Sequence, residues 1–148
     1  MTETTDRIER RIEIDAPAAR VWDLISQPGW WINDGKIVDH KIERVGDVDI
    51  VHDLVHGEFK IRTEQVDAPR YVAFRWIAQE PDQSGNEAST LTEFWIDDRD
   101  GDGVTLRVAE SGFASLDVSN EQRRKHLAEN TEGWEMELAA ARSYVEAG

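Results

Sequence analysis

Glu110 is the residue whose placement promises chemistry. It follows Leu106 and Val108 at every second position, so in a strand all three project from one face and the carboxyl lies among apolar side chains. Loss of water disfavours the charged form and raises a carboxyl pKa, which suits a group that orients a ligand or exchanges protons. The same environment also suits a structural carboxylate held by backbone N–H groups or a Trp indole. Substitution separates the two uses. Glu110→Gln abolishes ligand response or turnover in the first case and costs only stability in the second.

A second concentration of reactive types is His40, His52 and His56 with Asp53 and Glu58. A His pair four residues apart makes a metal site when a helix brings both rings to one face, but this stretch reads as strand and turn. A surface or lining role is expected, with no metal. Asp98-Arg99-Asp100-Gly101-Asp102-Gly103 imitates the start of a calcium loop, yet the twelfth position is Ala109 where a bidentate Glu is required, and no helix flanks it. A hairpin turn is the better account. The chain has no Gly-x-Gly-x-x-Gly, no phosphate loop and no Gly-x-Ser-x-Gly, so nucleotide binding and serine hydrolysis lack support and no cofactor is expected.

These residues need elements to position them. Residues 7–14 alternate, with Ile8, Ile12 and Ile14 between charges, as in a strand with one buried face. Asp15 as N-cap and Pro17 in the first turn predict a helix over 17–27, with Val21, Trp22 and Ile25 as its apolar stripe and Pro28-Gly29 as its stop. A Trp-rich link at 28–35 follows, able to form a further short helical turn or a tight loop. Trp30 and Trp31 are adjacent, so one is expected inward and the other at a cavity entrance; the alternative is that both pin the first helix to the sheet. Six short alternating runs at 41–45, 48–55, 58–66, 71–78, 90–97 and 104–113, separated by turn formers, read as a meander of strands. Ser119 and Gln122 form a capping box that opens a helix to about residue 146. Leu127, Thr131, Trp134, Leu138, Ala141 and Val145 share one face of it, and Glu and Arg fill the other. Gly133 beside Trp134 suggests close approach of a neighbouring backbone, because Gly in a helix interior costs ~1 kcal/mol relative to Ala.

The fold class is therefore α+β: a helix-grip domain in which a seven-stranded curved antiparallel sheet wraps a long C-terminal helix, with two short helices between the first and second strands. Residues 1–148 are expected to form one domain. Strand phases give the sheet an aromatic inner wall: Phe59 and Ile61, then Val72, Phe74 and Trp76, then Thr92, Phe94 and Ile96. A bent sheet and one helix leave space between them, and a pocket of several hundred cubic ångströms is common in such shapes. Arg62 and Arg75 have outward phases and are expected in surface ion pairs.

The chain's formal charge of −14 repels phosphate backbones and anionic lipid headgroups, which argues against nucleic acid and a peripheral membrane site. With no cysteine, thiol nucleophiles, disulfides and Cys-based zinc sites are excluded. No signal-peptide core and no membrane-length apolar run is present, so the cytoplasm is the expected compartment.

Several segments carry a family likeness. Residues 10–24, Arg-Arg-Ile-Glu-Ile-Asp-Ala-Pro-Ala-Ala-Arg-Val-Trp-Asp-Leu, resemble the opening signature of the SRPBCC (START-like) superfamily, in its branch of activator of heat-shock-protein-90 ATPase homologue-like proteins. Residues 66–76 resemble that branch's "V-D-P-P-R…F-R-W" turn and strand, with Ala68 where Pro is usual; Glu110-Ser111-Gly112-Phe113 resembles its "E-S-G-F", and Gly133-Trp134 its "G-W". The resemblance implies a helix-grip fold with a hydrophobic cavity. It does not imply one activity, since the superfamily includes lipid carriers, polyketide and other aromatic cyclases, hydroxylase domains and chaperone regulators.

The expected function is binding of a small apolar or aromatic molecule between sheet and C-terminal helix, enclosed by Trp31, Phe59, Ile61, Phe74, Trp76, Phe94, Trp134 and Leu138 and oriented by Glu110. One alternative is an enzyme of cyclase, dehydratase or hydrolase type using Glu110; without a recognisable nucleophile and base pair, the reading leans away from catalysis. Another, suggested by the branch name, is regulation of a chaperone ATPase by protein contact. A monomer or homodimer is compatible with all three.

Overall fold

The computed structural model describes residues 7–79, 88–99, 101, 103–113 and 119–147. Its elements run β1 (Arg7–Ile14), α1 (Ala18–Ile25), β2 (Lys41–Val45), β3 (Val48–Asp53), β4 (Gly57–Asp67), β5 (Tyr71–Gln79), β6 (Ala88–Asp98), β7 (Val104–Ser111) and α2 (Asn120–Ala147). The seven strands form one antiparallel sheet in the order β1-β7-β6-β5-β4-β3-β2. β2 through β7 are thus successive neighbours, and β1 closes the far side against β7. Register shifts interrupt β4 between Thr63 and Gln65 and β5 between Ile77 and Gln79; such irregularities bend strands and increase twist, helping the sheet curve. No described helix is long and apolar enough to cross a membrane.

The seven strands and the long terminal helix agree with the expected helix-grip architecture. The second short helix between β1 and β2 is a correction: α1 is the one helix there, and residues after it form turns and bends. The reason is local. Gly29 has a φ of 73°, outside helical geometry, and a Cβ there would lie 2.9 Å from a Val51 methyl. The chain must turn and press against β3 at that point, which glycine permits.

The start of α1 differs as well. Pro17, in an extended conformation, occupies the N-cap and no side chain caps the helix. Asp15 lies too early to do so. Its carboxylate instead accepts from Arg99 Nη2 at 2.7 Å, and its N–H donates to Glu146 Oε2 at 2.9 Å, tying the end of β1 to the end of α2. The capping box of α2 does form, with Gln122 N–H donating to Ser119 Oγ at 3.1 Å and Ser119 N–H to Gln122 Oε1 at 3.3 Å. Trp134, Leu138, Ala141 and Val145 are buried along α2, as the helical spacing requires.

The outer groups follow their strand phases. Arg62 and Arg75 both reach Glu64, at 3.2 and 3.6 Å. His40 Nε2 lies 2.9 Å from Asp53 Oδ1 and His56 Nε2 lies 2.8 Å from Asp34 Oδ1, so the histidines join different carboxylates. No metal-sized group of such side chains occurs among the described residues. At the β6–β7 turn Arg99 N–H donates to Gly103 O at 3.3 Å; Asp100 and Asp102 lie outside the described residues.

Candidate functional site

Trp31 stands at the centre of the space between sheet and helix. Its ring lies 5.6 Å from Phe74 of β5, 5.6 Å from Phe94 of β6, 5.7 Å from Trp76 of β5 and 5.8 Å from Trp134 of α2, measured between centroids. Trp30 turns inward too, 5.4 Å from Phe94 and at 89° to the ring of Trp31. Their exposures are 2% and 4%, so neither is a gatekeeper and the expected division of labour is corrected. Adjacent side chains oppose one another in a strand, but the turn begun at Gly29 breaks that alternation.

Aromatic side chains thereby fill most of the hollow that the sequence left open. What remains is an open cleft of about 160 Å³ at one side of it, lined by Trp31, Trp76 and Trp134, by Asn33 and Asn130, and by Gly133 and Glu137 with their neighbours Glu129 and Met136. This is smaller than expected. A cavity of about this size holds a benzene-sized molecule, so one ring or a short chain fits without displacement of the walls.

Of the residues expected to enclose a ligand, Trp31, Trp76 and Trp134 line the cleft, and Phe59 packs behind Trp76 at 6.4 Å. Ile61, Phe74, Phe94 and Leu138 belong to the buried core behind it. Glu110 is 1% exposed and lies outside the lining, but it is bonded to two residues that form it. Trp134 Nε1 donates to Glu110 Oε1 at 2.9 Å and Asn130 Nδ2 donates to the same oxygen at 3.2 Å; Thr90 Oγ1 donates to Oε2 at 2.7 Å. Burial pushes the Glu110 pKa upward, with those three donors and the nearby His126 opposing the rise. The carboxyl therefore fastens α2 to β6 and β7 and sets the positions of Trp134 and Asn130.

Gly133 has a different reason from the one its sequence suggests. A Cβ built there meets nothing within 4 Å. No backbone approaches; the missing side chain leaves the cleft open beside Trp134.

Glu137 is the site residue that sequence reasoning missed. Counting charges assigned it to the wet face of α2, yet it is 5% exposed. It sits three positions after Trp134 and one before Leu138, inside the buried stripe, and that spacing was the available signal. Desolvation raises its pKa to about 7, against hydrogen bonds from the Gly35 N–H and the Asn33 side chain, with Asp34 adding to the rise. Glu137 Oε1 has no hydrogen-bond partner, and neither has the indole Nε1 of Trp31. Two lining residues thus carry unmet polar atoms, an uncommon arrangement for buried groups.

The sequence pattern of the family described as "Activator of Hsp90 ATPase homolog 1-like protein" matches residues 15–146 of this chain. Among solved structures, protein MLL2253 from Mesorhizobium loti is similar with 16% identity and a TM-score of 0.69, over 95% of this chain and 97% of that one. The Aha1 dimer from Colwellia psychrerythraea is similar with 17% identity and a TM-score of 0.66, over 96% and 97%. CalU16 from Micromonospora echinospora is similar with 20% identity and a TM-score of 0.61, over 94% and 75%. At such identities the likeness is one of fold. Comparison with the curated proteins gives no match.

Proposed function

Since the chain belongs to the family of Activator of Hsp90 ATPase homolog 1-like proteins, within the SRPBCC (START-like) superfamily, we propose that it binds a small apolar or aromatic molecule in the cleft between the Trp-rich link, β5 and α2. One observation carries this reading: three indoles line a space of about 160 Å³, and two of its lining residues, Trp31 and Glu137, each hold a buried polar atom without a partner. Burying a ring there removes apolar surface from water, at ~25 cal/mol per Å². Glu110 acts indirectly, by holding Trp134 and Asn130. The test is a ligand screen by intrinsic Trp fluorescence and thermal shift, using fatty acids, sterols, polyketides and small aromatics, with Gly133→Leu as the blocked control. Quenching in the native chain that disappears in the blocked variant supports the reading; a uniform lack of response sinks it.

A second reading, protein contact as in chaperone regulation or a homodimer, draws on the β2 edge of the sheet. Edge strand β2 exposes Ile42 and Val45, and the adjacent β3–β4 turn exposes Leu54 and Val55. Edge strands with uncovered apolar side chains invite association. Light scattering of the native chain and of Ile42→Lys, with a chaperone pull-down and ATPase assay, tests it. The enzyme reading has less support, because protein donors already engage both oxygens of Glu110.

A further inference from the structure

Resting on the reading of the cleft as a ligand site, we propose that its ligand is an organic ammonium ion, an apolar or aromatic body carrying a protonated or quaternary amine. Three independent features of the lining converge on this. Its charged members are Glu129 and Glu137, and it includes no Lys, Arg or His. Glu137 is 95% removed from solvent, being 5% exposed, and its Oε1 has no partner within the protein. A buried carboxylate without a counter-charge is costly, and an incoming cation supplies that charge where the low dielectric makes it most effective. The walls are indoles, whose ring faces attract cations more strongly than those of the other aromatic side chains, and such aromatic surroundings are a known way to recognise alkylammonium groups.

The same features select against the carboxylate lipids that a sheet-and-helix cavity otherwise suggests. A fatty-acid headgroup in this cleft faces Glu129 and Glu137 with no basic residue to pair it. Lys125 is the cation beside Glu129, 3.8 Å away on the exposed surface of α2, and it is not part of the lining.

Proton linkage follows from the position of Glu137. Its carboxyl titrates near pH 7 in the free protein, with Asp34 of the link adding to the rise, Glu129 of α2 sharing the cleft, and the Gly35 N–H and Asn33 side chain opposing it. Ammonium binding favours the ionised form, so affinity grows as pH rises from about 6 to 8, while the amine itself stays protonated.

Three ring probes that differ in headgroup test the proposal: benzylamine, benzyl alcohol and phenylacetate, titrated at pH 8 with the Trp indole resonances as readout. The expected result is benzylamine binding at least roughly tenfold tighter than benzyl alcohol, with phenylacetate weakest. Glu137→Gln should bring benzylamine down towards benzyl alcohol, and benzylamine affinity of the native chain should fall from pH 8 to pH 6. Benzyl alcohol equal to benzylamine, or phenylacetate tighter than either, overturns the ammonium assignment and leaves the cleft a ligand site. Silence from all three up to their solubility overturns both.

Discussion

The indole N–H of Trp134 donates to Glu110 Oε1 at 2.9 Å, joining the middle of the long helix to the end of strand β7. Trp134 presents its other side to the cleft, so a buried carboxyl that touches no ligand governs the shape of the wall that would. Thr90 and Asn130 complete the arrangement and leave each carboxyl oxygen with at least one donor.

Replacing Glu110 by Gln keeps the shape and removes the charge. The amide sets a donor against hydrogens already supplied by Trp134, Asn130 and Thr90, so the variant is expected to lose ~1–3 kcal/mol of stability. Urea denaturation measures the loss, and the Trp134 indole proton signal should move. An unchanged midpoint and an unmoved signal would count against the tethering role.

Gly133 offers a test in which stability and binding part company. Gly133→Ala should stabilise the chain by up to ~1 kcal/mol through helix propensity, because its Cβ meets nothing. Gly133→Leu should fold at least as well as the native chain and fill the cleft. Thermal denaturation of both variants checks the first half, and ligand titration checks the second. A Leu variant that unfolds would show the space to be closed.

The sign of the Glu137 pH effect is opposite to that of most carboxylates. Its folded pKa, about 7, lies above the ordinary value of 4.5, so between the two the folded chain holds a proton that the unfolded chain has released. Its stabilising contribution is present in full below about pH 4.5 and is lost as pH rises through 7. Relative to Glu137→Gln, which has no such proton, the native chain should therefore become progressively less stable from pH 5 to pH 8. Paired denaturation curves at several pH values measure the difference, and a difference that grows in the other direction contradicts the burial of this carboxyl.

Trp31 bridges β5, β6 and α2, so truncating it removes the centre of the aromatic cluster. Trp31→Ala is expected to cost ~3–5 kcal/mol, read from urea curves. A cost below 1 kcal/mol would mean that the ring is not the keystone its contacts suggest.

Much of the architecture was legible because periodicity reports burial directly. The alternation of Ile8, Ile12 and Ile14 and the helical spacing of Trp134, Leu138, Ala141 and Val145 each fixed a face, and Ser119 with Gln122 fixed a helix start. The burial of Glu110 followed from its phase in β7. Residues outside regular elements were harder. Trp30 and Trp31 follow a turn whose geometry depends on Gly29 meeting Val51, a contact between segments distant in sequence. Their inward fit is what shrinks the expected hollow to a cleft. Glu137 was hidden by its type, since a charged residue on a long helix is normally solvated. Gly133 was noticed, but open space and close approach leave the same mark on a sequence.

The most direct test is an indole N–H titration of the six Trp residues by nuclear magnetic resonance, with a bound small molecule added to the native chain and to Gly133→Leu. The signals of Trp31, Trp76 and Trp134 are expected to shift in the native chain, those of Trp22 and Trp95 to stay, and the shifts to vanish in the variant. Shifts that persist in Gly133→Leu, or that fall on Trp22 and Trp95 instead, would contradict binding in the cleft.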